Sequence, residues 1–83
     1  MQSGELIVSG KNHVRIDLEH FPRRVKVKFV DNLTVPPCSP QDEDSLEYEV
    51  RSTASGKFIL LIKWRVSNVR EINWTTWRHE ECQ

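Results

Sequence analysis

The segment Phe58-Ile-Leu-Leu-Ile-Lys-Trp-Arg-Val66, followed by Val69-Arg-Glu-Ile-Asn-Trp-Thr-Thr-Trp77, constrains this chain most. Phe58, Leu60, Ile62, Trp64 and Val66 share one parity, as do Ile72, Trp74 and Thr76 in the second run. Period-two alternation of this kind is the signature of a strand with one buried face. Separated only by Ser67-Asn68, the two runs read as a β-hairpin that holds the core of a small sheet protein. Ile59 and Leu61 add apolar residues on the other face of the first run, so that strand asks for cover on both sides. In a domain of two layers, the cover expected there is another subunit, or else a loop.

The same alternation recurs upstream. Leu6 and Val8 start it, and Ser9-Gly-Lys-Asn12 makes a turn in which glycine and asparagine accept positive φ. Val14, Ile16 and Leu18 then oppose His13, Arg15 and Asp17. After Pro22, Val25, Val27 and Phe29 oppose Arg24, Lys26 and Lys28. Leu46, Tyr48 and Val50 oppose Glu47, Glu49 and Arg51, and Thr53-Ala-Ser-Gly-Lys57 is a further turn. The outward charges of the third and fourth runs have opposite sign, which predicts an antiparallel pairing with Lys28 beside Glu47. Six short strands with regular turns and no helix predict an all-β chain, a six-stranded antiparallel β-sandwich formed by one domain over residues 1–83.

Two segments stand outside this pattern, a tail at 79–83 and a loop at 31–44. The loop carries Val35-Pro-Pro-Cys-Ser-Pro40 and then Gln41-Asp-Glu-Asp44. Fourteen residues without regular structure is long for so small a domain, and long loops are often functional. If every strand crosses the domain, the 9–12 turn, this loop and the 67–69 turn share one end. The 19–23 connection, the 53–57 turn and the tail share the other. The first end then gathers Asp31, Asn32, Asp42, Asp44, Asn68 and Arg70, and the second gathers His20, Arg23, Arg24, Lys57, Trp77 and His79.

Charge and motif content narrow the function classes. Twelve basic and twelve acidic residues leave no net charge, which argues against a nucleic-acid partner and against an anionic membrane surface. No apolar run approaches the ~20 residues of a membrane span. The opening Met1-Gln-Ser-Gly-Glu5 lacks the basic and apolar regions of a secretory signal, so a soluble chain is expected, cytoplasmic or exported without a cleavable signal.

Asp42, Glu43 and Asp44 sit in an exposed loop, without the shelter a general acid needs. His13, His20 and His79 are far apart, and no serine or cysteine lies in a nucleophile motif, so no catalytic residue and no enzyme is expected. The acidic run lacks the spacing and glycine of a calcium loop, and Cys38, His79 and Cys82 fit no standard zinc site, so neither metal nor cofactor is expected. Cys38 and Cys82 are read as reduced, with pairing in an oxidising compartment the alternative. The sequons at Asn32-Leu-Thr34 and Asn73-Trp-Thr75 are read as unused. Trp64 and Trp74 take inward parity. Trp77 takes the opposite one, available to stack on a sugar ring or anchor a protein, or else packed under the tail.

The order of Val14-Arg-Ile-Asp-Leu18, Phe21-Pro22, Val25-Lys-Val-Lys-Phe29, Phe58-Ile-Leu-Leu-Ile-Lys-Trp64 and Val69-Arg-Glu-Ile-Asn-Trp74 resembles the H-type lectin domain, the six-stranded sandwich of discoidin-like and snail-agglutinin-like proteins. The likeness covers roughly residues 10–77 at framework positions. The loop holding Pro36, Pro37 and Pro40 departs from it, and the sugar-contacting residues have no clear match. The resemblance implies a trimer that binds N-acetylgalactosamine or related sugars in clefts between protomers. The expectation is therefore a non-enzymatic, carbohydrate-binding homo-oligomer, with Asp31, Asn32, Asp42, Asp44 and Arg70 bonding hydroxyls, Trp77 stacking, and Ile59 and Leu61 in the oligomer interface. The alternative is a structural or assembly protein, such as a phage-tail or secretion-apparatus component, whose partner is a protein rather than a glycan.

Overall fold

The structure, a computed structural model, describes residues 1–30 and 35–82. Six strands form in chain order: β1 (Gln2–Ile7), β2 (His13–Leu18), β3 (Arg24–Phe29), β4 (Leu46–Ser52), β5 (Phe58–Trp64) and β6 (Glu71–Trp77), with a 3-10 turn at His79–Glu81. They make two three-stranded antiparallel sheets, ordered β1-β6-β3 and β2-β5-β4. Over the described residues the fold is an all-β sandwich of six strands.

Alternation decides which face of each strand is buried. Val25 and Val27 of β3 and Ile72 and Trp74 of β6 meet Ile16 and Leu18 of β2, Leu46 of β4, and Leu60, Ile62 and Trp64 of β5 in one core. Thr76 also faces inward, and its hydroxyl donates to the Gln2 carbonyl at 3.1 Å, which satisfies the buried oxygen. Gly4 lies opposite Trp74 in the register, and a Cβ there would meet the indole nitrogen at 2.9 Å. Glycine at this position of β1 leaves the room that the large ring occupies.

The C-terminal hairpin read from the sequence does not form. β5 and β6 are the central strands of opposite sheets, and the six residues between Trp64 and Glu71 cross the sandwich. A two-residue turn at Ser67-Asn68 would pair Val66 with Val69; instead Val66 lies outside the strand and is exposed. Two layers lie about 10 Å apart, a step that needs a longer connection than a tight turn. β4 and β5 form the hairpin, closed by Thr53 N–H to the Lys57 carbonyl at 2.7 Å, with Gly56 at φ 82° where a side chain would be strained.

Lys28 and Glu47 are likewise not partners. β3 and β4 belong to different sheets, Lys28 stands opposite Asn73, and Glu47 pairs with Arg65 at 3.0 Å. Opposite charge on two exposed faces carries too little energy to choose a strand order.

Both ends of the sandwich are defined by hydrogen bonds between connections. At one end Val8 N–H reaches the Arg70 carbonyl at 2.8 Å, Val30 N–H reaches Glu71 at 3.2 Å, and Arg65 N–H reaches Ser45 at 3.0 Å. At the other, Arg23 N–H reaches the Trp77 carbonyl at 2.7 Å, and Phe21 stands edge-on to Phe58 with centroids 5.6 Å apart.

Candidate functional site

Strand parity places the whole 31–44 segment at the Arg70 end, and the structure departs from that. Cys38 is bonded to Cys82 beyond the far end of β6, and from there the chain returns along β3 to Leu46. The cysteines are thus a disulfide, not reduced thiols; their Cα atoms lie 5.7 Å apart across 44 residues of sequence. Two cysteines outside any motif carry no pairing signal in one dimension, because only the return of the loop brings them together.

The returning strap closes the open edge of β3. The Gln41 side chain accepts from Val27 N–H at 2.8 Å and donates to the Val27 carbonyl at 3.0 Å, so one amide side chain replaces a neighbouring strand. Beside it Lys26, outward in parity yet only 3 % exposed, donates to the Pro40 carbonyl at 2.9 Å and to Asp42. The Lys26 hydrogen bond lowers the Asp42 carboxyl below its ordinary value, helped by the charges of Lys26 and Lys28 and opposed by some loss of hydration. The tail is fastened by the N-terminal ammonium of Met1, whose hydrogen bond lowers Glu81. Asp42 thus latches the strap through Lys26, while its own side chain stays largely exposed.

This latch has a testable pH signature. A lowered folded-state pKa means that the ionised form stabilises the fold at pH above the ordinary carboxylate value of about 3.9, and that this stabilisation disappears as pH falls through the folded value. Asp42→Asn is therefore expected to melt at a lower temperature than the parent at pH 7 and at the same temperature near pH 2. A melting difference that persists unchanged into acid would show that the charge is not what holds the strap.

The predicted ligand residues that the structure describes are not brought together. Asp31 and Asn32 lie outside the described residues. Asp42 is on Lys26 midway along β3, Asp44 is exposed just before β4, and Arg70 is at the loop end. Trp77 is 3 % exposed at the opposite end, where tail, N-terminus and strap converge, so the expected stacking indole is a packed side chain. Ile59 is 8 % exposed and Leu61 is half-buried within a single chain, between the charged residues of β2 and β4. Asn73 of the second sequon is half-buried in central strand β6.

The loop end holds an open recess. Ile7, Phe29, Val30, Val66 and Val69 line a cleft of about 650 Å³, with Ser9, Asn68, Arg70 and Glu71 at its polar margin. Ile7, Val30 and Val66 are 72 %, 36 % and 46 % exposed, a concentration of apolar surface that solvent alone does not favour. Asn68 adopts φ 66°, the left-handed turn that brings Val66 and Val69 to the same rim. Of the predicted ligand residues that the structure describes, only Arg70 lines this cleft. Ile7 and Val30 carried a faint signal, being apolar at the polar parity of their runs; Val66 was hidden by an alternation that continues past the end of its strand.

Among the described residues no three His, Cys, Asp or Glu side chains converge as a metal site, and no helix is long and apolar enough to cross a membrane. The chain matches no family model, no curated protein and no solved structure.

Proposed function

We propose that this protein is a non-enzymatic binding module of the structural or assembly kind, which holds an extended segment of a protein partner in the loop-end cleft. The observation that carries the reading is the convergence of exposed Ile7, Val30 and Val66 beside the guanidinium-bearing Arg70. Aliphatic walls take a partner's aliphatic side chain, and a planar guanidinium at the margin takes a neighbouring carboxylate through paired hydrogen bonds. A saccharide is the weaker occupant for this cleft. Trp64, Trp74 and Trp77 are all buried, so none of the three indoles offers a sugar a stacking face there. Among the described residues, the groups with shifted titration, Asp42, Glu49, Arg51 and Glu81, belong to ion pairs or backbone latches away from the cleft, which supports binding over acid–base chemistry.

Panning a random-peptide phage library against the intact protein tests this. Enrichment of sequences with an aliphatic residue next to Asp or Glu is expected, with binding lost in Val66→Lys and weakened at least about tenfold in Arg70→Glu. Absence of enrichment, or enrichment indifferent to both substitutions, would overturn the reading. Binding on a glycan array that is lost in the same variants would replace it with the carbohydrate reading.

A further inference from the structure

The outer face of the β2-β5-β4 sheet is a charge pattern that is complementary to itself. The register sets three rows across it: His13, Lys63 and Glu47; Arg15, Leu61 and Glu49; Asp17, Ile59 and Arg51. β5 carries the apolar pair in the middle, and β2 and β4 carry charges of opposite sign on either side. We propose that this face is the contact between two copies of the chain, related by a two-fold axis that runs along β5.

Two symmetric arrangements are open to a flat face, and the charges choose between them. With the axis along β5, β2 of one copy lies over β4 of the other at the same row. Arg15 then meets the second copy's Glu49, Asp17 meets Arg51, and His13 meets Glu47, each contact occurring twice. Leu61 meets Leu61, and Ile59 meets Ile59. With the axis across the strands, Arg15 would lie over Arg15 and Glu49 over Glu49 in the middle row, and directly opposed like charges destabilise. A two-fold contact uses one patch on both copies, so it requires this kind of self-complementarity. Sheets packed face to face cross at about 30°, a displacement that arginine and glutamate side chains span.

Within one chain the same charges are only partly matched. Arg51 bonds Glu49 at 3.0 Å along β4, and Arg15 approaches Asp17 at 3.9 Å along β2, each pair keeping side-chain surface exposed. The second copy gives every one of these four groups a further partner and covers the half-buried Leu61 on both sides. Lys63 lies over Lys63 and is the unfavourable contact, moderated by the two Glu47 carboxylates in its row. The patch is narrow, three strands spanning about 10 Å and three rows spanning about 14 Å, an area well below the ~800 Å² per partner of a standard interface. Association is therefore expected with a dissociation constant on the order of 100 μM.

Sedimentation equilibrium of the full chain between about 10 μM and 1 mM reads the outcome, with circular dichroism confirming that each variant is folded. The parent is expected to move toward the dimer mass across that range. Arg15→Glu and Glu49→Arg each place like charges in both copies of the middle row, and each should weaken self-association at least tenfold, so that monomer predominates at every concentration below about 1 mM. Mixed one to one, the two variants should associate with each other, because every contact of the middle row then joins an acidic side chain on one copy to a basic one on the other. The double variant Arg15→Glu/Glu49→Arg should regain self-association; it would repel itself if the axis ran across the strands. A parent that stays monomeric at 1 mM, a trimer, single variants that associate like the parent, or a double variant that stays monomeric would each overturn the proposal. None of these outcomes involves the loop-end cleft, which lies apart from this face.

Discussion

Cys38→Ser is expected to lower folding stability by about 4 kcal/mol, the value that loop-closure entropy gives for a bridge across 44 residues. Small domains have only 5–15 kcal/mol in total, so one atom change removes a large fraction of the margin. The mechanism lies mainly in the unfolded chain. Without the bridge, the segment from the strap to the tail explores far more conformations, while most native contacts survive. Gln41 still bonds Val27, and Lys26 still bonds Pro40 and Asp42. Urea denaturation of the oxidised parent, the reduced parent and Cys38→Ser reads the difference. The reduced parent and the variant should agree with each other, and Cys38→Ser/Cys82→Ser should be no worse than either single change. A loss below about 1 kcal/mol would mean that the strap is held by its hydrogen bonds and that the bridge adds little.

The pattern of what was legible before the structure follows from where the information resides. Inward sets such as Val25 and Val27 or Leu60 and Ile62 are legible because burial repeats every second residue within one strand. Sheet membership is not, since β5 and β6 alternate the same way whether they lie side by side or in opposite layers. A connection of six residues permits both arrangements, and the decision rests on the core that each strand fills. Lys26 shows the converse. Its outward parity reads correctly, but its burial comes from Pro40 and Asp42, fourteen and sixteen residues away. Trp77 reads equally as a stacking indole or as one packed under the tail, because alternation does not decide between them; the structure shows it packed. The cleft was half legible: Arg70 follows from strand parity, whereas the exposure of Val66 required knowing that β5 ends at Trp64.

Leu60→Ala and Leu61→Ala separate the two faces of β5 in one experiment. Leu60 is fully buried, between Ile16 of β2 and Val50 of β4 in the register, and it faces the opposite sheet. Removing three carbons there leaves a cavity that the tightly registered neighbours cannot fill, and about 3–4 kcal/mol of stability should be lost at any protein concentration. Leu61 lies one residue on and points outward, half-buried between Arg15 and Glu49. Its truncation should cost less than about 1 kcal/mol in dilute solution, since neighbouring aliphatic stems and water replace the lost contacts. It should nonetheless abolish the concentration-dependent increase in mass, because the two leucines meet at the centre of the proposed contact. Denaturation at about 5 μM and sedimentation at about 1 mM on the same two variants distinguish these effects. Equal destabilisation by both would mean that Leu61 belongs to the core of the single chain, and the apolar outer face of β5 would need no second copy to explain it.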